Sequence, residues 1–185
     1  MFRKEFLSLL LLAVTVTVVV VVLKMLNWLP TVVQEGAMKR YGTIEQIRSR
    51  LKIEEVYVPS YFPYSFTWPP MEMLAQSKPF HAIIMSFTRK EKGDVGLVIT
   101  QAASKEFIYD KKIKMAQINE KMTYSIKGRT AHIEVGRCSG NESCSQLMLD
   151  EGDYRIRIIM KSRPFDMIKV AESMFSIRNG ISPDH

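Results

Sequence analysis

Tyr154-Arg155-Ile156-Arg157-Ile158-Ile159-Met160-Lys161 is the run that decides the fold. Its even positions are apolar from Ile156 on, while Arg155, Arg157 and Lys161 share the other side. That period of two belongs to a strand of an antiparallel sheet with one face on a core. Working outward, the same pattern predicts strands over 80–88, 94–101, 122–127, 130–135 and 145–149. Lys127-Gly128 and Glu151-Gly152-Asp153 supply hairpin turns. The polar stretch 104–119 has no clear period and holds at most one more strand, around 112–118. Downstream, 164–177 reads as a helix with Pro164 in its first turn and Asn179-Gly180 as its stop. Its apolar stripe is Met167, Ile168, Ala171, Met174 and Phe175. The expected fold class is α+β: an N-terminal transmembrane helix, then an antiparallel β-sheet domain with helices packed on one face and a helix at the C-terminus.

Upstream of the strands, Val56-Tyr-Val-Pro-Ser-Tyr-Phe-Pro-Tyr-Ser-Phe-Thr-Trp-Pro-Pro70 is dense in proline and aromatic residues. Its prolines forbid a continuous helix or a central strand, so it should run extended over the domain with its rings packed inward. A recognition surface is the competing reading. Pro69 and Pro70 suit the first turn of a short helix reaching Gln76. Before this segment, Thr43 with Gln46 forms a capping box for a helix whose Ile44, Ile47 and Leu51 share one face.

Residues 6–23 read FLSLLLLAVTVTVVVVVL, 18 residues without a charge. As a helix this run spans about 27 Å, and with residues 24–29 it exceeds the ~30 Å hydrocarbon core. Lys24 can snorkel to headgroups and Trp28 suits the interface. The valine run favours a strand in water, but in lipid the backbone must satisfy its own hydrogen bonds, which forces a helix. A cleaved signal peptide is disfavoured: the run is longer than a usual apolar core and no small-x-small site follows. The expected organisation is a short cytoplasmic tail over 1–5, a transmembrane anchor over 6–29, a juxtamembrane linker and helix over 30–52, an extracytoplasmic α+β domain over 53–178 and a tail over 179–185. Of 185 residues, 46% are hydrophobic and 24% charged, ordinary for one globular domain plus an anchor.

Flanking charges do not orient the anchor, because Arg3 and Lys4 face Lys24, Lys39 and Arg40. The two cysteines do. Cys138 and Cys144 enclose Ser-Gly-Asn-Glu-Ser between two alternating runs, a spacing suited to a disulfide across the base of a hairpin loop. Such a bond persists only in an oxidising compartment. The alternative is two unpaired thiols; metal binding is weaker still, with no His or second Cys pair beside them. The expected arrangement is therefore a single membrane crossing with the C-terminal domain outside the cytoplasm, periplasmic or extracellular.

A family resemblance rests on Val58-Pro59-Ser60-Tyr61-Phe62-Pro63, the strand ending Leu97-Val98-Ile99-Thr100-Gln101, Ile126-Lys127-Gly128-Arg129, Tyr154-Arg155-Ile156-Arg157-Ile158 and Ile168-Lys169-Val170-Ala171-Glu172-Ser173-Met174, in that order. Over residues 53–178 the chain resembles the extracytoplasmic domain found behind the membrane anchor of anti-sigma-factor-like and sporulation-type bacterial proteins. The resemblance implies a sheet-and-helix domain tethered to a bacterial inner membrane, without known catalysis, and it brings no catalytic residues. Five residues before the anchor leave no room for a sigma-binding domain, so direct sigma-factor inhibition is not expected.

The motifs that carry chemistry are missing: no Gly-x-Ser-x-Gly elbow, no phosphate-cradling glycine loop and no pair of histidines at helical spacing among His81, His132 and His185. No catalytic residue, metal or cofactor is therefore expected. The net charge of +7 suits anionic lipid or another polyanion, while the short basic runs, without interleaved aromatics, do not suit nucleic acid. Lys127, Arg129, Arg155, Arg157, Lys161 and Arg163 are the candidates for a basic binding face, with an ordinary solvated sheet face as the competing reading. The leading expectation is a non-enzymatic binding or accessory module acting through protein contacts in envelope sensing, assembly or transport. Second is a carrier holding an apolar or lipid ligand beside Met160, Met167 and Met174. A cell-envelope hydrolase, for which no residues can be named, is third.

Overall fold

The computed structural model describes residue 11, residues 13–24 and residues 38–177. Two compact units divide the chain, Met1–Met38 and Lys39–His185. In the first, residues 13–24 form helix α1, with its leucine and valine side chains exposed. Its two hydroxyls bond within the helix: Thr15 Oγ1 donates to the Leu11 carbonyl and Thr17 Oγ1 to that of Ala13, each at 2.8 Å. Among the described residues no helix is long and apolar enough to cross a membrane. The anchor expected over 6–29 lies partly outside those residues, as do Arg3, Lys4 and Trp28 and the tails at 1–5 and 179–185.

The second unit is an α+β fold. Its strands are β1 (Lys39–Tyr41), β2 (Val56–Pro59), β3 (Glu72–Gln76), β4 (Ala82–Thr88), β5 (Val95–Ala102), β6 (Met115–Ile126), β7 (Arg129–Cys138), β8 (Ser143–Glu151), β9 (Tyr154–Met160) and β10 (Met174–Ile177). Its helices are α2 (Ile44–Leu51) and α3 (Pro164–Glu172). Eight strands make one antiparallel sheet in the order β1-β3-β4-β5-β9-β8-β7-β6, and β10 pairs with β2 in a separate ribbon. Thr43 caps α2 by accepting from the Gln46 amide, while Gln46 Oε1 accepts from Gly42 N at 3.0 Å.

Register places Met73, Met85, Ile99, Ile158, Leu147 and Ile133 in one row across the sheet. On this face the core closes with Ile47 of α2, Met167, Val170 and Ala171 of α3, and Val56 and Val58 of β2. Gln101 points into the same face and pins β2 down: its Nε2 donates to the Glu55 carbonyl at 2.7 Å and its Oε1 accepts from Tyr57 N at 3.0 Å.

The opposite face is covered too. Ile84, Ser86, Val98, Thr100 and Ile159 are buried, and the connection 103–114 closes over them with Tyr109 and Ile113 buried. Lys112 anchors this connection to Glu72 at 3.1 Å.

Three expectations are corrected. The stretch after Pro70 is strand β3, not a short helix, because it completes the sheet between β1 and β4. The last helix ends at Glu172, and the chain turns at Ser173 into β10 to pair with β2, so Met174 and Phe175 belong to a strand. The strand expected at 122–127 starts at Met115; its first half is exposed and polar, which removes the alternation that marks a half-buried strand.

Candidate functional site: an exposed aromatic surface

Each residue of the expected basic face has a definite place. Arg157 is only 8% exposed: Nε and Nη2 donate to Gln146 Oε1 at 2.9 and 2.6 Å, Nη2 also reaches Asp110 Oδ1 at 2.7 Å, and Nη1 reaches the Tyr109 carbonyl at 3.3 Å. Arg155 donates to Asp150 and to the Lys105 carbonyl, and Arg129 pairs with Glu151. Lys127 Nζ donates to the Met174 carbonyl at 3.1 Å. Arg163 is the exposed residue preceding α3. By register Arg155 and Arg157 share one face, whereas Arg129 falls on the side of Ala131 and Ile133 that carries the core, and acids or carbonyls meet most of these cations.

Lys161 joins a separate cluster at the end of β9. Its Nζ lies 2.8 Å from Asp94 Oδ2; Arg89 bonds Asp94 at 2.5 and 2.7 Å and Glu142 at 3.1 Å, and Lys92 reaches Glu142 at 2.6 Å. Arg89 first, then Lys161, hold the Asp94 carboxyl well below the usual carboxylate range. Lys92 and then Arg89 bring Glu142 down to about 2. Gly96 leaves space for the arginine stem, since a Cβ there would stand 2.5 Å from Arg89 Cγ. Glu142 sits in the loop closed by the Cys138–Cys144 disulfide, so the bridge and the ion cluster together fix that loop against the β4–β5 turn. These charges are structural ties.

His81 and Tyr154 meet across a surface cleft of about 650 Å³, with Tyr154 Oη 3.5 Å from His81 Nδ1. Burial, and after it Glu55, Asp153 and Glu54, push the Tyr154 hydroxyl above the ordinary tyrosine range. A phenol shifted that way is a poor base at neutral pH. His132 lies on exposed β7 positions away from this cleft, and His185 lies outside the described residues. Among the described residues no three His, Cys, Asp or Glu side chains converge as metal ligands would. Met160, Met167 and Met174 are buried in the core cluster.

The feature without a structural tie is aromatic. In the proline-rich segment Phe62 and Phe66 turn inward, with Phe62 4.6 Å from Phe87 between ring centroids. Tyr61, Tyr64, Trp68 and Met71 do not: Tyr64 is 89% and Trp68 56% exposed. Trp68 lies flat along Phe87 and edge-on to Phe62, so its outer face is presented from a packed base. On α3, Phe165 is 65% exposed, and Lys169 Nζ stands between it and Tyr61, 4.4 Å from the first ring and 5.8 Å from the second. Lys90 Nζ covers Tyr64 at 3.9 Å. Ser60 holds the two elements together, its amide and hydroxyl both donating to the Ser173 carbonyl.

Sequence reasoning assigned these rings to the core because exposing so many is costly. The signal that separates them is spacing: Phe62 and Phe66 are four apart and inward, while Tyr61, Tyr64 and Trp68 lie between them and the prolines. Phe165 was legible as the position outside the stripe of α3. No family model, curated protein or solved structure matches the chain.

Proposed function

We propose that the protein is a membrane-anchored, extracytoplasmic, non-enzymatic binding or accessory module that acts through protein contacts in envelope sensing, assembly or transport. The observation that carries this reading is the exposure of Tyr61, Tyr64, Trp68 and Phe165, with Trp68 set on a packed base of Phe62 and Phe87. Large aromatics held by a packed support are the anchors that dominate protein interfaces, because they bury much area with little loss of side-chain freedom. The uncharged run over 6–23 supports the anchor, and the hydroxyls of Thr15 and Thr17, satisfied within their own helix, suit an apolar surrounding. A disulfide pair on the second unit supports an oxidising compartment for it. The resemblance to the domain behind the anchor of anti-sigma-factor-like proteins supports the same placement.

The test is a photo-crosslinking residue placed at Tyr64 or Phe165 in the full chain, in intact cells, with Glu106 on the 103–114 connection as the control position. One discrete protein adduct, shared by the two aromatic positions and missing at Glu106, is expected. Adducts to lipid alone, or none, would overturn the reading.

A further inference from the structure

The long edge of the sheet presents a second surface. Among the described residues β6 pairs only with β7, and its other side ends the sheet. Residues 116–121 and 123–125 are exposed. The β6–β7 turn is the two-residue pair Lys127-Gly128, both at positive φ (50° and 79°), which makes Ile126 and Arg129 a hydrogen-bonded pair. Antiparallel bonding alternates, so Ile126, Tyr124 and Met122 bond to β7 while Ser125, Thr123 and Lys121 turn their N–H and C=O groups outward. Protected edges carry proline, distortion or charged side chains, and over 121–125 Lys121 is the one charge. The first half of β6 has the distortion: the register shifts twice, between Met115 and Gln117 and between Ile118 and Glu120. Gly136 permits it, since a Cβ there would collide with the Gln117 carbonyl oxygen. The second half, Lys121-Met122-Thr123-Tyr124-Ser125, has regular register and no proline.

That half is self-complementary. Running antiparallel to a copy of itself about Thr123, it sets Thr123 against Thr123, Lys121 against Ser125 and Met122 against Tyr124. No like charges oppose each other, the outward amides and carbonyls find partners in both copies, and the Met–Tyr pairs fall on the sheet face that carries the core, where Met122 already packs against it. Moving the centre to Lys121 opposes two ammonium groups, and moving it to Ser125 sets Lys121 against Arg129.

We infer that β6 is a homodimerisation edge: two copies pair through residues 121–125 in the register centred on Thr123, joining their sheets. Thr123 would then face its copy at the ~5.5 Å Cα spacing of a hydrogen-bonded pair, within reach of a disulfide, and the native cysteines are already bonded to each other.

The experiment is oxidative crosslinking of the full chain in its membrane. Thr123→Cys alone should give a covalent dimer, whereas Lys121→Cys and Ser125→Cys alone should give roughly tenfold less, because each is displaced from its own copy. Lys121→Cys mixed with Ser125→Cys should restore crosslinking. Adding Thr123→Lys to the Lys121→Cys/Ser125→Cys double variant should reduce its dimer roughly tenfold in a chain that still folds, as it opposes two like charges across the pair and leaves the bonds to β7 intact. Equal crosslinking at all three positions, or no crosslinking at Thr123→Cys in a folded chain, would overturn the inference; in the second case the edge is covered by something other than this register of a second copy.

Discussion

Strand β9 and the segment 60–71 sit at opposite extremes of commitment. Arg157, at the middle of β9, is 8% exposed and bonds three partners, whereas Tyr64, at the middle of the other segment, is 89% exposed and meets one lysine. A charged side chain is thus deep in the structure and an aromatic one outside it. The difference is what lies above each. Over Arg157 the 103–114 connection brings a carboxylate and a carbonyl, making burial tolerable. Over Tyr64 stands the Lys90 ammonium, Trp68 keeps more than half of its surface exposed, and the base beneath Trp68 is already filled by Phe62 and Phe87. The molecule uses its cations to hold itself together and leaves its rings free.

The most severe break of that contrast is Arg157→Ala. It leaves Gln146 and Asp110 without their partner beneath the covering connection, and a loss of about 3 kcal/mol in urea unfolding is expected. Next is Cys138→Ser/Cys144→Ser, which releases the loop carrying Glu142; closing so short a loop contributes about 2 kcal/mol, and the variant should lose that much. Acid should act on the same corner more gently. Glu142 lies at about 2 in the folded protein against an ordinary 4.5, so its contribution is complete above 4.5 and lost as pH falls from there toward 2. The thermal midpoint should therefore drop between pH 5 and pH 3, and less so in Glu142→Gln. The smallest stability effect belongs to Tyr64→Ala, within ~0.5 kcal/mol of the parent in the same urea experiment, since its ring covers no core.

Much of the fold was legible because the sheet obeys its alternation. The runs around Ile84, Ile99, Ile133, Leu147 and Ile158 became strands β4, β5, β7, β8 and β9, and both hairpin turns formed where glycine permits them. Alternation says which side chains share a face, not whether a face is covered. Arg155 and Arg157 do share one, yet the connection that closes over them is irregular and carries no period, so its role could not be read beforehand. The pairing of β10 with β2 spans more than a hundred residues, and a four-residue strand following a helix looks like more helix. The aromatic surface was visible as composition but not as exposure, because four rings beside prolines are equally consistent with either side until Phe87 is seen to fill the base.

The central claim, that the outer rings serve contacts rather than the core, is tested most directly by the double variant Tyr64→Ser/Phe165→Ser, with urea stability and partner crosslinking measured on the same full-length protein. The account predicts a stability within ~1 kcal/mol of the parent together with loss of the adduct formed from a photo-crosslinker at Trp68. A stability loss as large as that of Arg157→Ala, with the adduct unchanged, would contradict it and return these rings to the core.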